Sequence, residues 1–298
     1  YGEGGSRCMG MYTSRIDPSQ WLNKFGIDVD GFDEIDLVRR AGKYQDKDAE
    51  KILTWVKKEF GGIKTTKEAM LYQIKLYLAL REVIKENDYD FIGVKCLTQG
   101  GMPACYTTFC FAHALLNDAS DDGFGEKSSF VCACEADANG ALTMQILNNI
   151  TNTSTMFTDL FHYDYKENIV WCKNCGSQPT DFASSRKDVI WMPQGEMDYY
   201  DFKHGGASPL YIGRPGLVTL ARLSRIKGEY VMLILTGNSV EMPLEKLNMT
   251  NPMEPHMFVK LNCTQDSFIN SVRSNHIHIV FGDYSNELVK TCEVLNIK

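Results

Sequence analysis

The sequence predicts an α/β chain in which a Rossmann-like unit with a parallel sheet precedes an antiparallel, β-barrel-like C-terminal domain. Three observations lead there. Between residues 90 and 158 short apolar runs alternate with helical patterns, the rhythm of βαβ units. Beyond Asp159 the helical patterns nearly cease, and short apolar runs follow one another across Gly, Pro and Asn turns. The length, 298 residues, lies where one hydrophobic core gives way to two, at about 250–300 residues. The expected division is 1–165 and 166–298, with the functional site in the cleft between them.

Each element has its own signal. Asp17-Pro18 opens a helix, with a capping side chain before a proline at the first helical position. Ile52, Trp55, Val56 and Phe60 mark one face of a helix over 46–60, ended by Gly61-Gly62. Thr65-Thr66-Lys67-Glu68 starts a long helix running to about Asn87. Then come a strand over 90–96, a helix over 104–116, a strand over 129–134 and a helix over 138–148. Ser154 to Thr158 closes the parallel set. The antiparallel series is expected at 161–165, 168–172, 217–223, 230–235, 256–261 and 277–281, with a last helix over 286–295.

Composition narrows the class. A net charge of −7 argues against a nucleic-acid partner, which usually meets a basic face. No run approaches the about 20 apolar residues of a membrane helix, and no basic-then-apolar segment opens the chain. Ten cysteines scattered through apolar runs suit a reducing, cytoplasmic setting better than a disulfide framework.

The stretch Cys134-Glu135-Ala136-Asp137-Ala138-Asn139-Gly140 carries the chemistry. It reads as strand, acidic turn, helix, which sets a carboxylate at the carboxyl end of a buried strand, where α/β sheets bind ligands. Asp159 closes the next apolar run. Two carboxylates at neighbouring strand ends make a cation site or an acid/base pair; the plain alternative is that both merely cap element ends. Asp137 reads as a helix cap, and His162 as a partly buried strand residue or a support to the ligands from behind. His276 and His278 would share one face of a strand, so either is able to complete a metal site. Cys172-x-x-Cys175 lacks both a second zinc pair and a thioredoxin-like context, and Cys132 and Cys134 read as packing residues.

Four blocks give a specific resemblance: Arg7-Cys-Met-Gly-Met-Tyr with Asp17-Pro-Ser-Gln-Trp21; Ile92-Gly-Val-Lys-Cys96; Glu135-Ala-Asp-Ala-Asn-Gly-Ala-Leu-Thr-Met-Gln145; and Asn275-His276 with Val280-Phe-Gly-Asp283. In this order, spanning nearly the whole chain, they resemble the L-fucose isomerase family of metal-dependent aldose–ketose isomerases. Such enzymes move a proton between adjacent carbons of a free sugar, such as L-fucose or D-arabinose, through an enediol. The resemblance implies that Glu135 and Asp159 bind the metal and shuttle the proton, and that His276 is the third ligand, with His278 the fallback. It places Gln99 and Asn275 on the sugar. Two carboxylates with one imidazole suit Mn²⁺. The resemblance also implies a homo-oligomer, and an N-terminal domain ahead of Tyr1-Gly-Glu-Gly-Gly-Ser that this chain lacks. A fragment of that kind would bind metal but turn over slowly. A non-catalytic sugar-binding module with the same fold is the alternative; a zinc-dependent redox protein using Cys172 and Cys175 is a weaker one.

Overall fold

The computed structural model describes residues 1–12, 14–97, 105, 107–193, 205–242 and 254–298. It is an α/β structure with one parallel sheet and one large antiparallel sheet. The parallel sheet holds β1 (Gly2–Gly4), β2 (Asp30–Phe32), β4 (Ile92–Val94) and β5 (Cys132–Cys134), in the order β2-β1-β4-β5. β1 and β2 escape a pattern reading because each is three residues long and contains glycine, so neither shows a period. A small third sheet joins β3 (Gly62–Ile63) to β8 (Ile190–Pro193) and β9 (Ala207–Leu210).

The antiparallel sheet contains β6 (Met156–Asp164), β7 (Ile169–Lys173), β10 (Gly216–Ile226), β11 (Glu229–Ser239), β12 (His256–Leu261) and β13 (His276–Phe281). Pairing runs β10-β11-β12-β7-β6-β13, and β13 pairs back onto β10 from Val218↔Phe281 to Ala221↔His278, so the ring of pairings closes. One expectation is corrected here. The run at 154–158 does not end the parallel set; it begins β6, which pairs antiparallel with β7 and β13. Only residues 165–168 link β6 to β7, too few for the crossover that parallel pairing needs.

The helices follow their caps. α1 (Pro18–Phe25) begins with Gln20 N donating to Asp17 Oδ1 at 3.2 Å and ends at left-handed Gly26. α2 (Glu34–Ala41), unforeseen in the sequence, packs on α4. α3 (Asp46–Glu59) ends a residue earlier than expected, and α4 (Lys67–Asn87) starts after its Thr66 cap. α5 (Cys110–Asn117) starts later than its apolar run suggests, because buried Gln73 of α4 takes the Thr108 carbonyl and the Thr107 hydroxyl, both at 2.9 Å. Among the described residues no helix is long and apolar enough to cross a membrane.

α6 (Ala138–Thr151) matters most for the site. It packs on β4 and β5 of the parallel sheet and on β10 and β13 of the antiparallel one. Leu223 N of β10 donates to Thr143 Oγ1 at 3.0 Å, fixing the helix against the second sheet. Two further helices, Gln265–Ser271 and Ser285–Val294, cover the antiparallel sheet's side of the chain.

One buried acid makes stability pH-dependent. Asp118, just past α5, accepts from Thr180 Oγ1 at 2.6 Å and from Asp181 N at 3.1 Å. Burial, then the nearby Asp181 carboxylate, push its carboxyl up to about 7. The folded state therefore keeps a proton that the unfolded chain releases above about pH 4. Relative to Asp118→Asn, the native chain is expected to lose about 2–4 kcal/mol between pH 4 and 7 and nothing further above that. Urea unfolding of both proteins across this range checks it; parallel curves would sink the assignment.

Candidate functional site

Glu135 follows β5 directly, and the chain turns there in an unusual way. Glu135 and Ala136 both lie in the left-handed region, at φ 59° and 49°. Such residues cost on the order of 1–3 kcal/mol each and persist where their surroundings over-determine them. Here Ala136 N donates to Val94 O of β4 at 3.0 Å, and Asp137 N to Cys134 O at 3.1 Å. Gly93 allows the turn to fold back over β4, since a Cβ there would stand 3.2 Å from Ala136 Cα. The result aims the Glu135 carboxylate away from its own sheet, toward β13.

On the antiparallel sheet, His276 of β13 and Asp159 of β6 are direct cross-strand partners. Opposed residues point to the same face, so their side chains meet. His276 Nε2 stands 3.2 Å from Glu135 Oε2 and 3.3 Å from Asp159 Oδ1. The three residues that the sequence singled out thus converge on one point. Asp137 and His276 are sealed in, whereas about a third of the Asp159 side chain (32%) is exposed, so the site opens to solvent on the Asp159 side.

Neighbours orient each donor. Asp137 Oδ2 lies 2.7 Å from His276 Nδ1, and its other oxygen caps α6 by accepting from Gly140 N at 3.0 Å. An ionised carboxylate only accepts, so His276 carries a proton on Nδ1 and directs Nε2 toward Glu135 and Asp159. Arg222 of β10 holds Asp137 in turn, with Nη1 at 2.5 Å from Oδ2 and Nη2 at 3.1 Å from Oδ1. Asp159 accepts from Asn275 Nδ2 at 3.1 Å and from Asn174 Nδ2 at 2.9 Å. His278 Nε2 sits 3.2 Å from Arg222 Nη1, not against the carboxylates.

The electrostatics follow from this crowding. Burial raises the Glu135 carboxyl above its usual range, against the pull of the His276 ring. Burial opposes charge on Asp137 too, but Arg222 and then His276 hold it far below the usual carboxylate range. Asp159 is also lowered, because contacts from His276, Asn174 and Asn275 outweigh its desolvation. Desolvation disfavours an imidazolium at His276, yet Asp137, Asp159 and Glu135 together raise the ring well above its ordinary value. Burial and then Arg222 push His278 down, so that ring stays neutral.

These residues fit a hard divalent cation. Glu135 Oε2 and His276 Nε2 are buried and, close as they are, share no aligned hydrogen bond. Two carboxylate oxygens and an imidazole nitrogen with its far side fixed by a carboxylate is an ordinary donor set for such an ion.

The other expected residues fall as follows. Asn275 is exposed and bound to Asp159, whereas Gln99 lies outside the described residues. His162 is exposed rather than partly buried, its ring 6.4 Å from Trp171 and beyond the β-bulge between Leu160 and His162. Cys172 is buried, and Cys175 Sγ lies near Asn174 Oδ1 at 3.7 Å. Asn174 and Arg222 are the contributors that sequence reasoning missed. Asn174 sits inside the Cys172–Cys175 spacing, where attention went to sulfur. Arg222 is buried at the middle of an apolar strand, a place where an arginine needs a carboxylate partner, and that was the available signal.

An α/β chain that gathers two carboxylates and an oriented imidazole between its sheets has the donor set of a hard-cation protein. Residues 172–298 match the family model described as L-fucose isomerase, C-terminal domain. The chain is 22% identical to a sulfoquinovose isomerase of Clostridium sp. (strain MSTE9), with 99% of this chain and 62% of that protein covered. It is 24% identical to an L-fucose isomerase of Phocaeicola vulgatus, covering 98% of this chain and 63% of that protein. An L-fucose isomerase of Escherichia coli (strain 55989 / EAEC) is 22% identical, over 83% of this chain and 53% of its own length. The C-terminal part of this chain is thus similar to the C-terminal domain of L-fucose isomerases, and the chain as a whole is similar to sulfoquinovose and L-fucose isomerases. It spans less than two thirds of the length of these relatives.

Proposed function

We propose that this chain carries the metal- and proton-handling part of an aldose–ketose isomerase acting on a free sugar. The observation that carries the reading is the meeting of Glu135, Asp159 and His276 within 3.2–3.3 Å of one another through the imidazole nitrogen. The names of the relatives support the reading and suggest L-fucose or sulfoquinovose as substrates to try; D-arabinose is proposed beside L-fucose. Mn²⁺ is the proposed ion, held by the same three residues. Once bound, it would act as a Lewis acid toward two neighbouring sugar oxygens.

The chain's own residues would do the rest. Glu135 and Asp159 approach from different sheets, so one takes the proton from one sugar carbon while the other serves its neighbour. Asp137 keeps His276 in a single tautomer. Asn275, exposed beside Asp159, is placed to meet a sugar hydroxyl, and Gln99 is proposed for the same task. The reading includes a Rossmann-like unit ahead of β6, a barrel-like domain from β6 onward rather than from 166, a homo-oligomer and a cytoplasmic setting.

The test is titration of the chelator-stripped protein with Mn²⁺, with and without a deoxyhexitol, followed by an assay for aldose–ketose interconversion. One Mn²⁺ per chain, tightened by the polyol, together with interconversion is the expected result. Metal and polyol binding without interconversion, even in a form extended by the family's N-terminal domain, would favour a sugar-binding module. No Mn²⁺ binding would overturn the isomerase reading and leave the chain a non-catalytic piece.

A further inference from the structure

A second donor set adjoins the first. The parallel sheet reverses its winding between β1 and β4, since β2 lies outside β1 and β5 outside β4. The crevice at the carboxyl ends of strands around such a reversal is where open α/β sheets bind ligands. In this chain that crevice is lined with sulfur. Cys8 follows β1, Cys96 follows β4, and Glu135 follows β5. The donor atoms of these three buried residues all lie within 4.8 Å of one another. Cys134 Sγ approaches Cys96 Sγ to 3.8 Å.

That spacing has a chemical meaning. A tetrahedral ion with metal–sulfur bonds of about 2.3 Å holds its sulfurs about 3.8 Å apart. Cys96 and Cys134 stand at that separation, and the Cys8, Cys96 and Glu135 donor atoms, all within 4.8 Å of one another, are close enough to share one ion. Thiolates select soft or borderline ions, whereas the Asp159–His276 side of Glu135 offers only oxygen and nitrogen.

We propose that Cys8, Cys96 and Glu135 form a second metal site, for a thiophilic ion of the Zn²⁺ class, with Cys134 as the neighbouring sulfur. Binding releases the Cys8 and Cys96 thiol protons to solvent and leaves two thiolates and one carboxylate on the ion. Glu135 belongs to both donor sets, so an ion on the sulfurs takes a ligand from the hard-cation site. This last consequence rests on the reading of that site given above; the sulfur site itself does not.

Co²⁺ serves as the probe, because thiolate ligation gives a charge-transfer band in the near ultraviolet that oxygen and nitrogen ligands do not. The reduced, chelator-stripped protein is expected to show this band saturating at one Co²⁺ per chain. Cys96→Ser should abolish it and Cys8→Ser should cut it by about half. Asp159→Asn and His276→Gln should leave it in place, whether or not Mn²⁺ binding survives, so failure of the isomerase reading leaves this result legible. Cys8 lies outside any strand or helix, so Cys8→Ser gives the readout if Cys96→Ser fails to fold. Absence of the band in the native protein, its survival in both serine variants, or its loss in Cys172→Ser alone would overturn the proposal.

Discussion

Glu135→Gln is expected to abolish stoichiometric Mn²⁺ binding and to lower aldose–ketose interconversion by at least about 10³-fold. The substitution keeps the size of the side chain and removes only its charge and its basicity. General acid–base groups contribute about 10²–10⁴-fold by themselves, and here the same carboxylate is also a proposed metal ligand. The fold should tolerate the change. Glu135 is buried with one oxygen lacking a hydrogen-bond partner and with a carboxyl already raised by desolvation, so removing the charge relieves a cost. Glutamine meets the same backbone strain at φ 59° that glutamate does. An unfolding midpoint at or above the native value, with metal binding lost, is therefore the combined signature. Retained Mn²⁺ binding with one ion per chain would remove Glu135 from the ligand set.

Asp137→Asn should act on stability and on the metal together. Arg222 is buried and directs two nitrogens at Asp137, at 2.5 and 3.1 Å, while His276 Nδ1 stands 2.7 Å away. Removing one partner of a buried ion pair leaves an uncompensated charge and costs about 3–5 kcal/mol. Asparagine caps a helix as well as aspartate does, so the start of α6 is not the part that suffers. The same change frees the His276 ring to adopt the wrong tautomer, and loss of such an orienting partner lowers metal affinity by about 10–100-fold. Urea unfolding and Mn²⁺ titration on one preparation test both effects. A variant as stable as the native protein, with unchanged affinity, would show that Arg222 and His276 are held by something else.

Much of this site was legible in the sequence. Glu135 stood out because strand, acidic turn and helix occupy consecutive residues, and Asp159 because it interrupts an apolar run. Spacing alone left His276 and His278 open, since both face one side of β13, and the resemblance named His276; the structure sets that ring against Glu135, Asp137 and Asp159, and His278 against Arg222. The double role of Asp137 was hidden as well. A helix cap is a local feature and was read correctly, whereas its bonds to Arg222 and His276 span 85 and 139 residues of chain. The fold shows the same division. Long helices with capped ends were found nearly to the residue, while β1 and β2, three residues each, exist only because they pair with β4 and with each other. The run at 154–158 was assigned to the wrong sheet because an apolar segment does not declare its partner; the short link to β7 does.

The position of α6 has a mechanical consequence. Glu135 is carried by one sheet and Asp159 with His276 by the other, and this helix is clamped between them, with Thr143 bonded to Leu223 on its far side. The gap between Glu135 and the Asp159–His276 pair is thus a gauge between two sheets: its width is set by how the helix is seated, as the jaws of a caliper are set by the slide. Any change that lets one sheet slip on the helix opens the jaws without touching a ligand, so residues along the whole length of α6 share custody of the pocket at its tip.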